Sequence, residues 1–130
     1  MKILVLNLGS TSTKLGVFED TCLLMSHTLR HSREDLAAFQ GILNQREYRQ
    51  QALVAWLTEN HHGMDSFDVI AARGGLLGPL PGGSFLINQA AADRAASGRF
   101  GMHAANVGML IAKSLSDQYG IPAYFTDAPS

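Results

Sequence analysis

Asn7, Gly9, Ser10, Ser12 and Lys14 stand within one short stretch that follows a continuous apolar run, Ile3 to Leu6. Such a run reads as a buried strand. A tight turn rich in glycine and hydroxyls breaks it, and a second apolar run, Leu15 to Phe18, follows. A hairpin therefore carries these five residues on or beside its tip. Ser10, Ser12 and Lys14 share one side if that stretch is extended, because strand side chains alternate faces. Hydroxyls and backbone amides donate hydrogen bonds, and an ammonium adds a point charge. Together they suit a polyphosphate. Asn7, at the end of the strand, can hold a phosphate oxygen or a magnesium-bound water, or simply shape the turn. Lys14, without its position after the turn, would be an ordinary solvated charge.

Three further residues are candidates. Arg73 follows an apolar strand and precedes Gly74-Gly75. Its planar fork matches a carboxylate or phosphate bidentately; the alternative is a salt bridge to an acid such as Asp68. His103 lies just before a helix, where free amides and the positive dipole end attract anions. Asp127 falls at the carboxyl end of a strand, where active-site side chains of open α/β sheets gather; it could equally form a turn before Ala128-Pro129. Asn106 is expected to accompany His103 structurally. The loop Gly74–Gly83 carries Leu76, Leu77 and Leu80, apolar residues suited to lining a pocket for a short alkyl chain, packing on the domain, or meeting another subunit.

The elements that must position these residues follow from pattern. Strands are expected at roughly Lys2–Leu8, Thr13–Phe18 and Thr21–Thr28, antiparallel because their connections are short. Ser32-x-x-Asp35 and Asn44-x-x-Glu47 both resemble capping boxes. After the second, Tyr48, Ala52, Leu53, Ala55, Trp56 and Leu57 recur at helical spacing. Gly63 is placed to stop that helix just after His61 and His62, a pair with no third metal ligand nearby in sequence. Phe67–Ala72 reads as a central strand and Ser84–Ile87 as a short extended piece. Asn88 is placed to cap a helix through about Ala96. A last helix runs from about Ala104 to Tyr119, stopped by Gly120 and Pro122, and a strand follows at Ile121–Phe125.

The ordered motifs carry a resemblance. Asn-x-Gly-Ser-x-Ser-x-Lys after a first strand resembles the opening phosphate loop of the acetate and butyrate kinases, in the sugar kinase, heat-shock protein 70 and actin superfamily. Ala72-Arg73-Gly74-Gly75-Leu76-Leu77, Pro81-Gly82-Gly83-Ser84-Phe85-Leu86-Ile87-Asn88 and Gly101-Met102-His103-Ala104-Ala105-Asn106 follow in the family's order. The Arg-Gly-Gly form is similar to the butyrate kinase branch. The resemblance implies an α/β, ribonuclease H-like mixed sheet, antiparallel hairpins then parallel strands, with helices packed on it. It implies ATP and Mg2+, with Asn7 meeting the metal through water, and Gly9, Ser10, Ser12 and Lys14 holding phosphates. It implies that His103 contacts the transferred phosphoryl group and that Asp127 orients substrate or metal. In acetate kinases a substrate arginine stands where this chain has Ile70, so Arg73 does not match it residue for residue. The family reaction makes an acyl phosphate from a short-chain carboxylate, in a cleft between two domains.

Residues 1–130 are then one domain, equivalent to the N-terminal half of such a kinase, and expected to be inactive without its C-terminal partner. The alternative is a non-catalytic domain with weak phosphate or partner-protein binding. At 130 residues with 46% apolar content, a real core is possible. A formal net charge of -1, without charge runs, argues against nucleic acid as partner. No apolar stretch suggests a membrane span, and the N-terminus lacks a signal-peptide pattern, so a cytoplasmic location is expected. Cys22, in an apolar run, is expected to be a small buried hydrophobe. Self-association at high concentration is expected if the three loop leucines are exposed.

Overall fold

The computed structural model describes residues 1–73, 84–97 and 103–126. The chain opens with β1 (Lys2–Leu8), β2 (Ser12–Glu19) and β3 (Cys22–Arg30). A short α1 (Arg33–Ala37) and a 3-10 turn (Ile42–Gln45) lead into α2 (Arg46–Glu59). Then come β4 (Val69–Arg73), β5 (Ser84–Leu86), α3 (Gln89–Ser97), α4 (Ala104–Tyr119) and β6 (Ala123–Thr126). They form one six-stranded sheet in the order β3-β2-β1-β4-β6-β5. The first three strands are antiparallel, whereas β1, β4 and β6 run parallel.

Alternation divides the sheet into two unlike faces. Leu4, Leu6, Leu8, Ile70, Ala72, Ala123 and Phe125 are buried on one face. Their neighbours Ile3, Val5, Val69 and Ala71 are only half-buried. On the buried face α4 packs across β1, β4 and β6, with α2 and α3 against it. Gly108 of α4 faces Leu8 of β1, and a Cβ there would stand 3.4 Å from Leu8 Cδ1. Leu53 and Leu57 of α2 are fully buried, and Trp56 stacks on His27 of β3 with ring centroids 4.5 Å apart. Trp56 is therefore packing, as its spacing suggests. No described helix is long and apolar enough to cross a membrane.

Several local signals act as the sequence implies. Ser32 caps α1 by accepting the Asp35 amide, and Asn88 accepts the Ala91 amide at the start of α3. Gly120 takes the left-handed conformation at the end of α4. Other expectations need correction. Asn44 does not cap α2; its side chain donates back to the Gln40 carbonyl, and Gln45 is the N-cap without a side-chain cap bond. Gly63 is not the residue that reverses the chain after α2, since His61 takes the left-handed conformation at φ 63°. Cys22 is exposed, as are Leu23 and Leu24, in the edge strand β3. The leucines of the Gly74–Gly83 loop lie outside the described residues.

Gly120 isolates a backbone effect. Its φ is +67° and a Cβ there would meet nothing within 4 Å. Gly120→Ala should therefore lower stability by about 1 kcal/mol through conformation alone. A urea titration with an unchanged midpoint would contradict this.

Candidate functional site

Strand register brings the candidate residues to one edge. Leu6 pairs with Ala72 in the parallel β1–β4 ladder, and Arg73 pairs with Thr126. The carboxyl ends of β1, β4 and β6 thus lie side by side, and Asp127, next along the chain, falls outside the described residues. Asn7 pairs directly with Lys14 across β1 and β2. By alternation Asn7, Lys14 and Arg73 share the face that the described helices leave open. All three are exposed, and none has a described protein partner. The Asp68 alternative for Arg73 does not hold: Asp68 precedes β4, where it accepts the Lys2 amide at 2.8 Å, whereas Arg73 ends that strand, and no ion pair joins the two. Asn7 and Lys14 stand at one end of a shallow cavity of about 290 Å³, walled by Val5, Phe18 and Leu23 over the bare backbone of Gly16.

The β1–β2 turn is built closely. The Gly9 amide donates to the Ser12 carbonyl at 2.8 Å. A Cβ at Gly9 would fall 2.9 Å from Ser12 Oγ, so the glycine makes room for that hydroxyl. Ser12 begins β2 and shares a face with Lys14, while Ser10 lies in the turn itself. Behind the turn sits Arg49, 0% exposed. It donates to the carbonyls of Gly9 (2.8 Å), Ser12 (3.0 Å) and Ser10 (2.7 Å). Gln45 Oε1 accepts from its Nε and Nη2 at 3.0 and 2.8 Å. Burial draws its pKa below the ordinary value, yet a guanidinium stays charged in proteins. Sequence pattern gave Arg49 no special place. The signal it did carry is its spacing of four from Leu53 and eight from Leu57, the buried stripe of α2.

His31 completes the support. Its amide donates to the Thr11 carbonyl at 2.9 Å. Its Nε2 lies 2.9 Å from the hydroxyl of Thr13, which is fully buried. Burial lowers the His31 pKa first, the Arg49 charge lowers it further, and Asp35 opposes both.

His103 caps α4 with an extended backbone. Its Nδ1 accepts the Ala105 amide at 3.0 Å. In the neutral ring the proton then sits on Nε2, leaving an outward donor. Topology fixes where that donor is. The end of α4 leads into β6, where the Pro122 carbonyl accepts the Ile70 amide at the start of β4. The start of α4 is therefore at the opposite end, the edge where Asn7 and Arg73 stand. His103 reaches it from the helix layer, whereas Asn7, Lys14 and Arg73 reach it from the open face. Asn106 is fully buried and donates to the Ala95 carbonyl, tying α4 to α3. Among the described residues no three His, Cys, Asp or Glu side chains cluster as a metal site, the His61–His62 pair included.

No family model matches the chain. It is 38% identical over 126 residues to butyrate kinase 2 of Clostridium acetobutylicum, covering 97% of this chain and 35% of that protein. A probable butyrate kinase of Enterococcus faecalis is 38% identical over 125 residues, covering 96% and 34%. The chain thus spans about a third of the length of the curated relatives it matches. Among solved structures, an acetate kinase from Entamoeba histolytica superposes with a TM-score of 0.66 at 16% identity, covering 97% of this chain and 36% of that one. RuvC of T. thermophilus superposes at 0.52 and 12% identity, covering 99% and 65%. These likenesses establish the fold, which is ribonuclease H-like.

The His31 shift has a pH consequence. A histidine whose folded pKa is lowered takes up its proton more readily when unfolded. Its contribution to stability is full above its ordinary value of about 6.5 and declines as pH falls below it. His62, whose pKa burial also lowers, adds a slope of the same sign. Melting temperatures at pH 8 and 5.5 should therefore fall further in the wild type than in His31→Gln, which keeps a polar partner for Thr13. Equal falls would mean that His31 protonates without penalty.

Proposed function

We propose that this relative of the butyrate kinases is the phosphate-handling lobe of a carboxylate kinase, equivalent to its N-terminal domain and working in the cytoplasm. With a second lobe it would transfer the γ-phosphoryl group of ATP to a short-chain carboxylate. The bond from a carboxylate oxygen to phosphorus forms, the bond from phosphorus to the ADP oxygen breaks, and acyl phosphate and ADP leave. The observation that carries this reading is the register-paired, unpartnered Asn7 and Lys14 beside a turn whose carbonyls are all engaged from behind.

Each residue then has a role in positioning or charge neutralisation, the two tasks that dominate phosphoryl transfer. Gly9, Ser10, Ser12 and Lys14 hold the polyphosphate. Asn7 orients a phosphate oxygen or a metal-bound water. Arg73, on the same face and without a partner among the described residues, supplies a fork to the carboxylate or to the phosphoryl oxygens. His103 donates from Nε2 to the phosphoryl group, and Asp127 is assigned to substrate or metal orientation. Magnesium, bound with ATP, would neutralise phosphate charge. The described residues suit contact through water at Asn7, as this ion commonly keeps several waters.

Acyl phosphate formation from butyrate and MgATP, trapped as hydroxamate, tests the reading. The chain alone should give none. The chain mixed with the remaining two-thirds of a butyrate kinase relative should give product, and Lys14→Ala should then lower kcat/KM by about 10²-fold or more. Reconstituted turnover indifferent to Lys14→Ala would overturn the assignment, as would turnover by the chain alone that survives it.

A further inference from the structure

We infer that Arg49 is a positioning residue that turns the backbone amides of Ser10 and Thr11 outward as an anion-binding pair. The inference rests on the reading of the β1–β2 turn as a phosphate site and names what sets its geometry.

Arg49 has five N–H bonds, and each finds an acceptor. Nη1 takes the Gly9 and Ser12 carbonyls, Nη2 takes Ser10 and Gln45, and Nε takes Gln45. Among the described residues no carboxylate pairs with it. A cation fully buried on neutral acceptors alone is a costly way to fill space beside Leu53 and Leu57. What it accomplishes is a constraint on backbone direction.

A trans peptide group is planar, so its C=O and N–H point opposite ways. With the Gly9 carbonyl on Arg49, the Ser10 amide points away from α2. With the Ser10 carbonyl on Arg49, the Thr11 amide does the same. Neither amide has a described protein acceptor. Both residues are exposed. The next carbonyl, Thr11, is held by the His31 amide, so the turn cannot easily flip. Two successive amides aimed together form a concavity for an anion, and the buried guanidinium places a positive charge behind them. A lysine could not reproduce this, because a single ammonium cannot span three carbonyls and Gln45 in the plane of a fork.

The test titrates inorganic pyrophosphate into the isotope-labelled chain and follows amide shifts by NMR, with urea stability measured in parallel. In the wild type the Ser10 and Thr11 amides should move most. Arg49→Lys should bind about tenfold or more weakly, the loss of one good hydrogen bond or greater. Gln45→Leu, which strands two Arg49 donors, should weaken binding while the chain stays folded. Lys14→Ala should weaken binding but leave the Ser10 and Thr11 amides as the ones that move. If pyrophosphate moves Lys14 and its neighbours but not these amides, the inference is wrong and the phosphate reading survives. Wild-type affinity in a folded Arg49→Lys also overturns it. No shift anywhere in residues 7–14 at millimolar pyrophosphate removes the phosphate reading itself. Should Arg49→Lys fail to fold, the wild-type amide map and Gln45→Leu decide.

Discussion

A single buried guanidinium organises the end of the molecule where the candidate residues gather. Arg49 joins the first turn of α2 to the turn between β1 and β2, and its five donors leave it no freedom to reorient. Leucine packing along α2 fixes the base of the side chain, and Gln45, one turn earlier on the same helix, braces its tip. Gly9 contributes by having no side chain, so that Ser12 can fold over it. The turn is thus shaped from within the core, and its outer surface is left for something else.

That something must approach an edge with a consistent electrostatic character. Both α2 and α4 begin where β1 and β4 end, so two helix N-termini and their partial positive charges point there. Lys14 and Arg73 add full charges on the open face, and His103 adds a ring nitrogen from the helix layer. The fold alone does not dictate this use: RuvC, whose solved structure is in complex with a Holliday junction substrate, superposes over nearly the whole chain. The described side chains that gather at this edge are amide, hydroxyl, imidazole and cationic groups.

Much of this was legible in the sequence. The apolar runs of β1 and β4, the cap at Ser32 and the stop at Gly120 announce themselves locally, since each depends on neighbours close in the chain. What was not legible depends on contacts distant in sequence. Cys22 sits in an apolar run yet is exposed, because which part of a strand a helix covers is set by tertiary packing. Asn44 has a cap residue's identity, but Gln45 is drawn to Arg49 and the helix starts from a 3-10 turn instead. Arg49 itself reads as a solvated charge until one sees the carbonyls, some 40 residues earlier, that it binds. The candidate side chains were nameable from the hairpin pattern; their support was not.

A crystal structure of the chain with inorganic pyrophosphate would test the central claim most directly. The account predicts the anion on the β1–β2 turn, with its oxygens within hydrogen-bond distance of the Ser10 and Thr11 amides and of Lys14 Nζ, and Arg49 unmoved behind them. An anion bound only elsewhere, with this turn bare, would contradict it.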